Sequence, residues 1–133
     1  MSNNVTYNST TGETQIFVDQ GSTFEHTFTL TANSLPFDLT NYDARMMVRV
    51  TYGSSLPVFS ATIDNSKLVV LSAVAGTLKL VMLPSDSSSI KFNSKDDSAL
   101  DCVFDLEIQN TLTGKVYKPV KGSLVYSREV THN

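Results

Sequence analysis

Apolar and polar residues alternate with a period of two through most of this chain. Over residues 23–31, Phe24, His26, Phe28 and Leu30 share one parity, while Thr23, Glu25, Thr27 and Thr29 share the other. Three more stretches behave alike. Ala44, Met46, Val48 and Val50 stand against Arg45, Met47 and Arg49; Leu78, Leu80 and Met82 stand against Thr77, Lys79 and Val81; Cys102, Phe104, Leu106 and Ile108 stand against Asp101, Val103, Asp105 and Glu107. Successive side chains of a strand point to opposite faces, so the pattern predicts strands with one core face and one wet face. Further strands are predicted at 15–19, 57–63, 67–71 and from 115 to about 131. Pro57 marks the second of these as an edge strand, and Pro119 and Gly122 predict a bulge or bend in the last.

Turn signals separate the strands: Gln20-Gly21-Ser22, Gly53-Ser54-Ser55, Asp64-Asn65-Ser66, and the glycine-containing hairpin loop Asn110-Thr111-Leu112-Thr113-Gly114. Residues 33–37 read as a loop. Residues 85–92 read as one helical turn, capped by Ser85 and anchored by Ile90 or Phe92. Residues 38–50 form the organising passage. Asp38, Thr40 and Asn41 make a turn, and the strand that follows alternates cleanly enough to be central in its sheet.

Seven to eight short strands without a long amphipathic helix predict an all-β chain, a single antiparallel β-sandwich. The expected core comprises Phe24, Phe28, Met46, Val48, Leu78, Leu80, Phe104, Leu106 and Leu124, each contributing about 1.5–3 kcal/mol on burial. The β domain is expected over residues 15–131. Residues 1–14 are expected to be a polar arm, either disordered or ordered by a neighbouring subunit; Val5, Thr6 and Tyr7 suit an added strand.

Composition supports one globular domain: 133 residues, 41% hydrophobic and 17% charged. Ser and Thr make up about a quarter of the chain, which favours strands and turns. A net charge of −3 with no basic run gives nucleic acid no electrostatic footprint. Cys102 is the single cysteine, so no intrachain disulfide can form. The N-terminus lacks the basic-then-apolar pattern of a signal peptide, and no apolar run approaches membrane-spanning length, so the expectation is a chain folded in a cytoplasm with no membrane partner.

Candidate chemistry is sparse. His26 lies on an apolar parity and is expected to be structural, while His132 lies at the chain end. Cys102 has a core parity, where free cysteine acts as a small hydrophobe. Asp96, Asp97 and Asp101 match no calcium-loop spacing and have Lys91 and Lys95 nearby, which favours a solvated loop. Arg45 and Arg49 are expected to pair with Asp105 and Glu107 across strands. The acceptor-like triplets at Asn4 and Asn8 are discounted without a signal peptide. No G-x-S-x-G elbow, phosphate-binding glycine loop or H-E-x-x-H pair is present, so no catalytic, cofactor-binding or metal residue is assigned and no enzyme is expected.

Three passages carry a family resemblance. They are residues 38–50, reading D-L-T-N-Y-D-A-R-M-M-V-R-V; Phe104-Asp105-Leu106-Glu107-Ile108; and residues 122–131, reading G-S-L-V-Y-S-R-E-V-T, with Gln20-Gly21 before a strand as a fitting opening. Together they resemble the immunoglobulin-like modules of tailed-bacteriophage virion proteins. Asn41, where that family often has Gly, and the loop 93–98 depart from the pattern. The resemblance implies an immunoglobulin-like sandwich in a tail, baseplate, fibre-attachment or capsid-decoration protein. It implies a virion location after assembly in the host cytoplasm, other virion proteins as partners, and many copies or a homo-oligomer. Docking is expected through sheet edges, notably 57–63, through loops, or through the arm. The competing expectation is a carbohydrate-binding module, which needs exposed aromatic rings beside a groove; the candidates are Tyr7, Tyr42, Tyr52 and Tyr117.

Overall fold

A computed structural model describes residues 3–130. The strands in order are β1 (Asn4–Asn8), β2 (Glu13–Asp19), β3 (Phe24–Thr29), β4 (Thr31–Ala32), β5 (Leu35–Pro36), β6 (Tyr42–Arg49), β7 (Phe59–Thr62), β8 (Leu68–Ser72), β9 (Thr77–Met82), β10 (Ala99–Asn110) and β11 (Val116–Ser127), with one helical turn, α1 (Pro84–Ser88), before β10. The all-β expectation holds. The larger sheet runs β1-β2-β11-β10-β6-β7, the smaller runs β3-β9-β8, and β4-β5 is a separate two-stranded ribbon.

Two features depart from the sequence expectation. The described residues contain eleven strands, not seven or eight, because residues 4–8 pair with β2 and residues 31–36 fold back on themselves. Asn33 and Ser34 have φ of 52° and 65°, the paired positive values that a tight two-residue hairpin requires. The larger sheet is also mixed and not wholly antiparallel, since β2 lies parallel to β11, Ile16 opposite Leu124. Alternation tells which face a residue takes but not which way its strand runs, so this pairing left no mark in the pattern.

The organising passage takes the expected form. Asp38 Oδ1 accepts from the Thr40 amide at 2.9 Å and the Thr40 hydroxyl at 2.6 Å. Asn41 turns the chain with φ 65°, and β6 then runs between β10 and β7. Ala44, Met46 and Val48 point into the core.

The two sheets enclose one apolar cluster. From the larger sheet come Ile16, Val18, Met46, Val48, Phe104, Leu106, Ile108, Leu124 and Tyr126; from the smaller come Phe24, Phe28, Leu68, Leu78, Leu80 and Met82. Every core residue expected from the sequence is buried there. In β1 only Val5 packs against this cluster, and the other four residues are exposed.

β11 carries the expected irregularity. Leu106 faces Val120 but Ile108 faces Tyr117, so Lys118 and Pro119 oppose the single residue Glu107 in a bulge. Gly122 serves the other side of β11. Its φ is 156°, and a Cβ there would run into the carbonyl of Thr14 on β2, so only glycine lets the parallel strands approach.

The strand ends at Ser127, short of the expected 131. Just past it the Arg128 amide still donates to the Ser98 carbonyl at 2.8 Å, and its side chain grips the neighbouring loop: Nε donates to the Asp97 carbonyl at 2.6 Å, and the guanidinium sits 4.3 Å from the Phe92 ring centre. Val130, on the same parity as the buried Leu124 and Tyr126, is 91% exposed, and Thr131 lies outside the described residues. The helical turn is capped by Leu83 in place of Ser85. The Asp86 carboxylate accepts from the Leu83 amide at 2.7 Å, the reach-back half of a capping box.

Candidate functional site

His26 lies on β3 opposite Leu80, half-buried, edge-on to the Phe28 ring at 4.7 Å. It also lines an open groove of about 390 Å³ between β1 and β3, with Thr6, Tyr7, Thr14, Thr27 and Val120. Burial lowers its pKa from the ordinary value by penalising the cation. No carboxylate lines this groove, and no hydroxyl hydrogen-bonds the ring among the described residues, so no base–nucleophile pair is assembled.

Cys102 is buried on β10, and burial, with a smaller push from Asp101, raises its thiol pKa to about 11. A thiol held protonated is a poor nucleophile. Asp96, Asp97 and Asp101 do not converge, and among the described residues no three acidic, histidine or cysteine side chains do. Asp97 is used locally, accepting from the Ser94 amide at 2.9 Å. His132 lies outside the described residues.

The cross-strand charge expectation holds for one pair and fails for the other. Arg45 grips Glu107 with two bonds, Nε at 2.7 Å and a terminal nitrogen at 3.2 Å, and this hydrogen bonding lowers the Glu107 pKa. Arg49 turns to the Ser54 carbonyl at 2.8 Å, leaving Asp105 to Lys118 at 3.4 Å. The difference follows from register: Arg45 is paired directly with Glu107, whereas Asp105 sits opposite Met47.

Two surfaces remain that could engage a partner. The first is aromatic. Tyr42 from β6 and Tyr117 from β11 are 6.5 Å apart between ring centres and tilted by 31°, with Phe37 at 5.2 Å and 6.2 Å from them. Beside them is an open, mainly apolar cleft of about 370 Å³, floored by Leu30 and Ile108 and walled by Phe37, Tyr117 and Pro119. Two of the four sequence candidates, Tyr42 and Tyr117, therefore come together, while Tyr7 lines the β1 groove and Tyr52 a different hollow with Met47 and Lys118. Phe37, which the sequence reading had not singled out, completes the cluster because the β4-β5 ribbon brings the chain back beside β6.

The second surface is formed by two uncharged strand segments, joined by a turn that carries Asp64 and Lys67. Residues 50–63 and 68–78 contain no Asp, Glu, Lys, Arg or His. They supply β7 and β8, the edge strands of the two sheets. On and after β8, Val69, Val70, Leu71 and Val74 are exposed. Unpaired edge backbone next to exposed apolar side chains is a ready template for another strand.

No family model and no curated protein matches this chain. Its surfaces are thus the direct physical guide to what it does. The groove along β1 and β2 is lined mainly by Thr, Ser and Asn, with Glu13 at its side, and the aromatic cleft mainly by apolar side chains. Charged side chains meet in two other hollows, Asp43, Arg45 and Glu107 in one and Arg49, Asp105 and Lys118 in the other.

Proposed function

We propose that this chain is a non-enzymatic docking module, an immunoglobulin-like sandwich that assembles into a tailed-phage virion in the tail, baseplate, fibre or capsid-decoration position. The observation that carries the docking part is the uncharged edge at β7 and β8 with its exposed Val69, Val70, Leu71 and Val74. Exposed apolar edges are usually blunted with charge, so one left bare is a surface with a partner to cover it. The virion part rests on the resemblance of residues 38–50, 104–108 and 122–131 to phage modules. In the fold these passages supply β6 with its entry turn, the middle of β10 and the end of β11, three segments of neighbouring strands.

A tagged copy expressed in the producing host during particle formation tests this reading. It should sediment with the particles. A tagged chain that folds normally yet stays wholly in the free fraction refutes the reading.

A second reading is favoured by the aromatic cluster. Tyr42, Tyr117 and Phe37 beside an open cleft supply rings on which a sugar can stack, as a host-glycan-binding module requires. A glycan array separates the two: binding that disappears in Tyr117→Ala supports the sugar reading, and silence across the array removes it.

A further inference from the structure

The four sheet edges are protected unequally. β3 carries Glu25, paired with Lys79 at 3.0 Å, and β1 is a polar strand with Thr6 and Asn8 exposed. β7 presents Ser60 and Thr62, both partly buried. β8 alone presents a run of exposed valine and leucine.

We propose that β8 is a homotypic docking edge: two copies of this chain pair their β8 strands antiparallel about a two-fold axis, joining two three-stranded sheets into one continuous sheet. This deepens the docking reading above by naming one partner, a second copy.

The argument for a second copy is charge and shape. A two-fold axis sets each residue against another from the same short segment, so a charge with no opposite charge inside that segment would face only its own sign or apolar side chains. Residues 68–78 contain none. Lys67, just before them, is neutralised within its own copy by Asp86 at 2.8 Å. The side chains left outside, Val69, Val70 and Leu71, are 38%, 36% and 53% exposed and apolar, hence complementary to themselves. β-branched residues facing each other across a ladder are among the favourable cross-strand pairs.

A bulge limits the contact. Val70 faces Leu78 but Ser72 faces Thr77, which leaves Leu71 out of the β9 ladder and keeps the regular stretch to residues 68–70. Such an interface is small, of the weak and concentration-dependent class, and would gain strength where many copies are held together.

Analytical ultracentrifugation of the full chain from micromolar to millimolar concentration tests the pairing. The mass should climb from 14.6 kDa towards twice that value. Val69→Glu places a carboxylate opposite Lys79 within its own copy and among the apolar side chains of the second copy's β8. That variant should keep its thermal midpoint and remain monomeric throughout. Val70→Cys, at the centre of the strand, should cross-link to its mate under mild oxidation, whereas Cys102, 1% exposed, should not react. A wild type that stays at 14.6 kDa, a dimer that Val69→Glu leaves intact, or a doubled mass without the Val70→Cys cross-link overturns the proposal. These outcomes read self-pairing alone. Sedimentation with particles is a separate measurement, so either reading can fail without the other.

Discussion

Replacing Gly122 by alanine tests the least expected part of the fold, the parallel pairing of the first long strand with the last. The new methyl group would have to share space with the Thr14 carbonyl, and the Thr14 carbonyl carbon and amide nitrogen lie 2.8 Å and 2.9 Å from the same point. All three are backbone atoms, so no side chain can rotate away. Relief requires β2 and β11 to separate locally. That weakens or breaks one or two ladder hydrogen bonds at roughly 0.5–1.5 kcal/mol each and disturbs the packing of Ile16 against Leu124. The φ of 156° adds strain of about 1 kcal/mol for a residue with a Cβ. The sum is about 2–4 kcal/mol, a fall in Tm of roughly 6–15 °C for a domain of this size. Gly12→Ala is the control: its φ is 74°, and nothing lies within 4 Å of the added Cβ, so it should cost about 1 kcal/mol. Urea unfolding followed by circular dichroism gives both values. If Gly122→Ala costs no more than Gly12→Ala, the close parallel approach of β2 and β11 is wrong.

Other predictions follow from single sites. Leu80→Ala, at a fully buried position between β3 and β8, should cost about 2–5 kcal/mol in the same assay. His26 has a lowered folded pKa, so the unfolded chain binds its proton more readily; its share of stability should be complete above the unfolded value near 6.5 and fall as pH drops below it, a slope that His26→Gln should remove from a pH series of unfolding curves. Glu107→Gln should cost only about 0.2–1 kcal/mol, because its partner Arg45 is about half exposed; the pair's contribution is present above the ordinary glutamate value of 4.5 and lost as pH falls through the lowered one. Cys102 should react with a thiol reagent only at the rate of global unfolding, since it is buried and its pKa is raised to about 11.

The parity of side chains carried most of the fold. Phe24 and Phe28 on β3, Met46 and Val48 on β6, and Phe104 and Leu106 on β10 all face the core because a half-buried strand leaves a period-two imprint. Where both faces of a segment are wet, the imprint vanishes. β1 is polar apart from Val5 and Tyr7, which suit a strand added by a neighbour but mark no core face, and the two-residue strands β4 and β5 are too short to show any period, so none of the three was expected as a strand of the domain. The exposed apolar edge escaped the pattern for a related reason. Pro57 drew attention to residues 57–63, which do form an edge, yet the bare apolar edge is β8, whose Leu-Val-Val-Leu run reads as core in a sequence. Only topology, with β8 outermost in its sheet, makes those residues a surface. The aromatic cluster likewise depends on a tertiary return, because Phe37, Tyr42 and Tyr117 meet only once β11 lies across β10 from β6.

The measurement closest to the central claim is quantitative mass spectrometry of particles purified from the host that carries this gene. A docking module of the virion should be present at a fixed copy number per particle, retained through density-gradient purification and high-salt washing. Its absence from intact particles, with the chain accumulating freely in the lysate, would contradict the account.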